Sequence, residues 1–330
     1  SVASLPQNDR ETYLIRASII EFSEVKMKKC ALLFLSFFAL LPCARAAFAD
    51  PGLDLTLGTG IRVDNLNWNI AGNSAGADPN VLSELRWNKL DIYQVRAKAD
   101  VRLNPVYMRA KLDYGWIYGG VNRDSDYLGN NRTIEFSRSN NNADRGTVWD
   151  VTAGAGIRKH YAAEGGWFDI IPMVGASYNR QNLRMTDGFQ TIPPTGPFPG
   201  LDSSYNARWF GPWAGMDFIG AFNALTLTGS FEYHFLTDYR ADADWNLRDD
   251  FQHPVSFEHN AEGNGIVVSL GADYALTRRW SVNAVFDLQD WQTGRGTDRT
   301  FFSDGTTYDT RLNEVNWESY ALTVGVKYGF

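Results

Sequence analysis

Two short motifs place pairs of carboxylates at a spacing that suits chemistry. Asp124-Ser125-Asp126 and Asp242-Ala243-Asp244 each hold two aspartates two residues apart. On an extended backbone, residues i and i+2 point the same way, so each motif presents two carboxylates together. Close carboxylates repel, which raises the pKa of one of them toward that of a useful base. Two such pairs facing each other would activate a water molecule or bind a cation. Asp124, Asp126, Asp242 and Asp244 are therefore the candidate catalytic residues, against the alternative that Asp is common in any polar loop.

The segments around these motifs alternate with period two, which predicts β-strands that are wet on one side. Near the end of the chain, Tyr320, Leu322, Val324 and Val326 share one face. Earlier, Arg96, Lys98, Asp100 and Arg102 share a face that must contact water or a polar lumen.

The alternation predicts ten strands, over 53–70, 83–103, 106–118, 148–161, 168–182, 208–222, 225–239, 264–276, 280–292 and 317–330. Short turns alternate with long polar links over 71–82, 119–147, 183–207, 240–263 and 293–316. Short turns on one side and long loops on the other are typical of barrels in the outer membrane of Gram-negative bacteria. The predicted fold is all-β: a closed antiparallel transmembrane β-barrel, which leaves no sheet edge in lipid.

Aromatic residues near the predicted strand ends indicate interfacial girdles. They are Trp116, Tyr118, Trp167, Phe168, Trp209, Trp213, Trp280, Trp291, Trp317 and Tyr328. Ordinary strand packing explains any single one of them equally well. The terminal Phe330 resembles the assembly signal of outer-membrane barrels. A secreted lipocalin-like or sandwich protein also alternates, but long loops on one side only disfavour it.

The N-terminal region predicts export. Met27-Lys28-Lys29, an apolar run over 30–41 and the Ala47-Phe48-Ala49 site form a secretory signal peptide over 27–49. Residues 1–26 are expected to be a non-native upstream extension, and 50–330 a single barrel domain. That domain holds 25 basic and 34 acidic residues and no cysteine. This acidic balance argues against nucleic acid as a partner, and no cofactor or metal is expected.

Charges of both signs on adjacent predicted strands indicate an ion-paired plug inside the barrel. They are Arg96, Lys98, Asp100, Arg102, Arg109, Lys111 and Asp113. Ten strands leave little interior room once side chains fill it, which argues against a wide porin.

The order of ten strands, short turns and long loops resembles that of the omptin family of outer-membrane endopeptidases across most of residues 50–330. Local sequence similarities to the family occur at 83–87 (SELRW), at Gly119-Gly120 before the first Asp pair, at 210–215 (FGPWAG) and at 320–330 (YALTVGVKYGF). The resemblance implies an Asp pair in the second long loop, matched by Asp124 and Asp126, and an Asp–His pair in the fourth. Asp242 matches the Asp of this Asp–His pair. The resemblance implies that a water molecule between the two pairs is the nucleophile. Lipopolysaccharide dependence is also implied.

The histidine that the resemblance implies would fall at position 244 or 245. These positions hold Asp244 and Trp245, so the histidine is missing. A neutral imidazole accepts a proton near pH 7, whereas a fourth carboxylate only adds charge. His253, His259 and His234 are conceivable substitutes, although an ordinary loop or lumen role is the simpler interpretation; His160 lies near a short turn, on the wrong side.

Three hypotheses follow for the function. The first is a surface endopeptidase that activates water with paired aspartates. The second is a catalytically lapsed barrel that acts as an adhesin, a ligand-binding protein or a structural surface protein. The third is a small porin. The expected partners are outer-membrane lipid, lipopolysaccharide and a peptide, protein or surface ligand.

Overall fold

The computed structural model describes residues 52–330, so the predicted upstream extension, signal peptide and residues 50–51 lie outside the described residues. Thirteen strand segments make up the described chain: β1 (Gly52–Ile70), β2 (Ser83–Leu103), β3 (Val106–Gly129), β4 (Thr133–Asn142), β5 (Gly146–Ile157), β6 (Lys159–Ala163), β7 (Gly166–Ile192), β8 (Gly196–Phe222), β9 (Leu225–Asp244), β10 (Phe257–Ala275), β11 (Trp280–Thr293), β12 (Gly296–Phe301) and β13 (Thr307–Gly329). A single 3-10 turn, Asn130–Arg132, joins β3 to β4.

The strands form a closed antiparallel ring, as predicted. β4 and β5 both pair with β3 and β7, and β6 continues along β7, so these three segments occupy one position in the wall. β11 and β12 likewise share one position between β10 and β13. β1 pairs with β13 from Asp54↔Gly329 onward and closes the ring. The thirteen segments therefore give ten wall positions.

Four of the five predicted long loops are in large part strand. β3 continues to Gly129, β7 to Ile192 and β9 to Asp244, while β8 begins at Gly196 and β13 at Thr307. Only 71–82 keeps the predicted extent of a loop, and the other sizeable connection is 245–256. The prediction failed here because a strand that stands in water beyond the bilayer carries polar residues on its outer face, and such a composition resembles a loop. We call this end of the barrel the mouth, and the opposite end, at 104–105, 164–165, 223–224 and 276–279, the turn end.

The outer surface carries an apolar band near the turn end. Exposed aliphatic side chains include Leu57, Ile61, Leu112, Val174 and Val324. Tyr93, Trp116 and Tyr118 are exposed at one border of this band, and Tyr274, Trp280 and Phe330 at the other. This band and its aromatic borders are those of a membrane-spanning barrel.

Four tryptophans that the sequence assigns to the girdles lie inside the barrel instead. Trp209, Trp213, Trp291 and Trp317 are at most 2% exposed. They occupy the alternate positions of their strands that face the interior. Near a strand end, the spacing alone does not distinguish a tryptophan at the membrane interface from one inside the barrel. Trp213 fits because Gly154 and Gly175 face it, where a β-carbon would lie 2.5 Å from its ring.

Candidate functional site

The first aspartate pair lies on the mouth end of β3 and faces the interior. Asp124 stands opposite Leu85 on β2, and Asp126 stands opposite Ser83. Residues directly opposite in an antiparallel pair share a face of the sheet. Leu85 is 1% exposed and belongs to the interior hydrophobic cluster, so both carboxylates point into the mouth.

Burial and mutual repulsion make this pair electrostatically unusual. Burial raises the pKa of the Asp124 carboxyl well above its usual range, and the charge of Asp126 raises it further. Burial also raises the pKa of Asp126, although hydrogen bonds from Ser83 and Ser137 oppose that rise. Oδ1 of Asp124 is shielded from solvent and has no hydrogen-bond partner among the described residues. The pair therefore retains protons to higher pH than free aspartates do, and it favours a nearby cation.

Arg248, in the connection 245–256, supplies that cation. Its charge lowers the pKa of both Asp124 and Asp126. Asp250 holds the guanidinium through two hydrogen bonds of 2.9 and 2.8 Å, and the ring of Phe251 lies 4.1 Å from the Arg248 Cζ. The loop thus places its own basic side chain near the carboxylate pair.

The second predicted pair does not converge with the first. Ala241 and Ala243 on β9 are buried and stand opposite Ala207 and Tyr205, so the alternate residues Asp242 and Asp244 lie on the outer face. Asp242 accepts hydrogen bonds from Arg208 and Asn206. Asp244 contacts His253 Nδ1 at 2.6 Å. The expectation that four carboxylates meet across the mouth is therefore wrong in its geometry, because the pairing of β9 shifts register between Leu236 and Tyr239 and this shift turns both side chains outward.

The four histidines lie in four different environments. His253 is exposed, and its hydrogen bond with Asp244 raises the pKa of the imidazole. His160 contacts Asp169 at 2.5 Å near the turn end, on the side that the sequence predicts. His234 shares the interior face of β9 with Glu232, as predicted, and its ring nitrogens contact Glu232 at 2.9 Å and Ser177 at 2.9 Å.

His259 belongs to a buried polar chain that the sequence does not reveal. Its Nδ1 lies 2.9 Å from the Tyr205 hydroxyl, which lies 2.6 Å from the Tyr239 hydroxyl. Its Nε2 is 3.1 Å from Asp298, out of line for a hydrogen bond. Trp68 packs on the imidazole at 4.8 Å. Strand parity would have revealed Tyr205, since it shares a face with Trp209, but residue 205 falls in a predicted loop.

A comparison with known protein families shows which family the chain belongs to. The model of the Protochlamydia outer membrane protein family matches residues 56–330. The chain belongs to that family. No curated protein sequence matches it.

Solved structures are similar to this family member to different extents. The crystal structure of the outer-membrane protease OmpT from Escherichia coli matches with a TM-score of 0.67 at 14% identity, covering 87% of this chain and 99% of that one. The translocator domain of the autotransporter NalP from Neisseria meningitidis matches at 13% identity with a TM-score of 0.34, covering 93% and 96%. OprG from Pseudomonas aeruginosa matches at 10% identity with a TM-score of 0.36, covering 86% and 98%. The omptin resemblance is thus one of fold, and the protein is an outer-membrane β-barrel whose outer band contacts lipid. The mouth is then extracellular and the turn end periplasmic.

Ion pairs cross the interior of this family member, as the predicted plug requires. Arg96 pairs with Asp113 at 2.5 Å and with Asp287 at 2.7 Å, and Arg109 pairs with Asp217 and Glu232 at 2.8 and 2.7 Å. Above them, toward the mouth, a hydrophobic cluster of buried residues includes Trp87, Trp209, Trp291 and Trp317. Ion pairs and aromatic rings together occupy the cross-section that a pore would need.

Residues 52–330 contain neither a membrane-spanning helix nor a metal-binding cluster. No helix there is long and apolar enough to cross a bilayer. In the same range, no three or more His, Cys, Asp and Glu side chains are grouped so that they would hold a metal ion.

Proposed function

We propose that this protein acts at the cell surface as a closed barrel that binds a cationic group at its mouth without cleaving peptides. The observation that carries the proposal is the separation of the two aspartate pairs. Asp124 and Asp126 face the interior, whereas Asp242 and Asp244 face outward. A water molecule held between the pairs, the mechanism implied by the omptin resemblance, has no place in this arrangement.

The proposed ligand is a lysine or arginine side chain of a peptide or surface protein. Two shielded carboxylates attract a cation, and charge-assisted hydrogen bonds are the stronger kind. Arg248, in the connection 245–256, already exerts its charge on both carboxylates. A ligand cation would add the direct hydrogen bond that Asp124 Oδ1 does not make among the described residues.

A peptide assay separates binding from cleavage. The folded protein, in detergent with lipopolysaccharide, is expected to bind a fluorescent Arg-rich peptide and leave it intact. Asp126→Asn should weaken binding about tenfold, because a charge-assisted hydrogen bond contributes at least that factor. The matched control, Asp242→Asn on the outer face of β9, should leave the affinity unchanged, because Asp242 lies outside the proposed site. Equal binding by both variants would refute the proposed site.

Endopeptidase activity is the second candidate, and the contact between Asp244 and His253 favours it. This is a carboxylate–imidazole pair of the type that the omptin resemblance implies, formed by a histidine nine residues further along the chain. Its weakness is that Asp244 lies on the outer face of β9, whereas Asp124 and Asp126 face the interior. Peptide cleavage that is lost in both His253→Gln and Asp124→Asn would establish this activity instead.

The small-porin hypothesis gives a third measurable expectation. In planar lipid bilayers, the folded barrel should show no steady conductance, since ion pairs and tryptophans fill its interior. A known porin reconstituted at the same protein-to-lipid ratio provides the control, and a heat-dependent mobility shift on SDS gels confirms folding. Regular conductance steps would mean that the plug opens, and the closed-barrel proposal would then be wrong.

A further inference from the structure

The lower lumen contains a cavity of about 420 Å³ that is lined by the inward residues of most wall strands and by the turn 277–279. A water molecule takes about 30 Å³ in the liquid, so the cavity accommodates a small polyatomic ion together with water. It lies at the periplasmic end, on the opposite side of the ion pairs and tryptophans from the Asp124–Asp126 site. Any ligand of this cavity therefore comes from the periplasm.

The lining of this cavity is positive although the chain as a whole is acidic. Nine Lys and Arg side chains line it against six Asp side chains, whereas the full chain has a net charge of −7. Two further acids just above it, Asp113 and Glu232, pair with Arg96 and Arg109. Even with these counted, basic groups outnumber acidic ones. Low-dielectric walls around a lining with a net positive charge favour anions.

Arg158, between β5 and β6, is a buried basic residue of this lining with an unsatisfied hydrogen-bond donor. Its side chain is 2% exposed, and its Nη1 has no hydrogen-bond partner among the described residues. The nearest carboxylate oxygen, Asp169 Oδ2, is 3.7 Å away, too far for a hydrogen bond. Oδ1 of Asp169 is engaged by His160 at 2.5 Å. Arginine does not deprotonate in proteins, so this donor stays charged and unsatisfied.

A second guanidinium lies close by. Arg102 pairs with Asp54 and also interacts electrostatically with Asp169, which places it on the same side of the cavity as Arg158. At the rim, the exposed Arg278 has no ion pair among residues 52–330. Together these groups provide one buried, one half-buried and one exposed cation along the path from the periplasm.

We propose that this periplasmic cavity binds a small oxyanion, a phosphate or a carboxylate, with Arg158 as its principal donor. Planar guanidinium groups present donors that match two oxygens of one anion. A bound oxyanion satisfies Nη1 of Arg158 and neutralises the positive lining. The ligand is either free phosphate or the carboxylate group of a periplasmic solute.

Equilibrium dialysis with radiolabelled inorganic phosphate tests this assignment. The full barrel is folded in a non-ionic detergent free of lipopolysaccharide, which would contribute phosphates of its own. Saturable binding is expected, with the affinity reduced about tenfold or more in Arg158→Gln. The matched control, Arg299→Gln on an exposed ion pair outside both proposed sites, should bind phosphate as the unmodified protein does. Competition by acetate distinguishes a site for carboxylates in general from one selective for phosphate, and both results support an oxyanion site.

Folding is controlled separately, because Arg158 is buried. Arg158→Lys keeps the charge and should retain part of the affinity, while Arg102→Gln should lower it without removing the buried donor. Phosphate should also raise the unfolding midpoint of the unmodified protein, since a ligand that binds only the folded state stabilises it. Two results would overturn the proposal: no saturable binding of either anion to folded protein, or equal binding by Arg158→Gln and the unmodified chain.

Discussion

Arg62→Ala is expected to lower the free energy of unfolding by about 3–5 kcal/mol, the usual cost of removing one partner from a buried ion pair. Arg62 donates to Asp64 at 2.7 and 2.8 Å and to Asp150 at 2.7 Å, and these three side chains are at most 6% exposed. Without the guanidinium, two carboxylates would face each other in the interior with no counter-charge. The loss is a large fraction of the about 5–15 kcal/mol that usually separates folded from unfolded protein.

Urea unfolding followed by tryptophan fluorescence measures this cost, with the mobility shift on SDS gels as a second readout. The exposed pair of Arg299 and Asp309 provides the matched control, and Arg299→Ala should cost about 1 kcal/mol or less. A triple variant, Arg62→Met with Asp64→Asn and Asp150→Asn, should recover most of the loss, because it removes the unpaired charges. If the triple variant is as unstable as Arg62→Ala, lost packing against Trp317 would be the cause and the electrostatic explanation would fail.

The barrel itself was predictable because its physical signal is local. Period-two alternation identifies a strand without knowledge of its neighbours, and Phe231, Tyr233 and Phe235 face outward while Glu232 and His234 face inward, as their spacing requires. The ion-paired plug was predictable for the same reason: Arg96 and Asp113 lie on faces that can only be interior. Strand length was harder, because the mouth end of each strand stands in water on its outer side and no longer shows an apolar stripe.

The site was less predictable because it depends on strand parity over long distances. Asp124 and Asp126 face the interior only because β3 is irregular between Tyr118 and Val121, where its pairing with β2 shifts register. Asp242 and Asp244 face outward after a comparable shift between β8 and β9, near Phe210 and Trp213. One displaced residue exchanges the two faces of a strand. The spacing of two aspartates does not predict such a shift. It also does not predict that Arg248 approaches from a separate loop.

Asp124→Asn is expected to stabilise the barrel at neutral pH. Burial raises the pKa of Asp124 well above its usual range, so the folded state binds this proton more tightly than the unfolded state does. Stability is then greatest when the carboxyl is protonated, and it falls as the pH rises from the ordinary aspartate pKa through the raised one. Asparagine resembles the protonated carboxyl and does not ionise. Above that window the variant should therefore have the higher free energy of unfolding, by about 1.4 kcal/mol for every tenfold difference in the proton affinity of Asp124 between the folded and unfolded states, and at low pH it should gain nothing.

The unfolding midpoints of both proteins, measured from acid to neutral pH, test this sign directly. Asp309→Asn is a control of opposite sign, because the hydrogen bond from Arg299 lowers the pKa of Asp309. Replacing the Asp309 carboxylate should lower the free energy of unfolding slightly at neutral pH and leave it unchanged below the lowered pKa. If Asp124→Asn follows the same pH course as the unmodified barrel, the Asp124 carboxyl is ionised and solvated in the mouth. The attraction for a cation that the proposed binding site requires would then be that of an ordinary surface carboxylate.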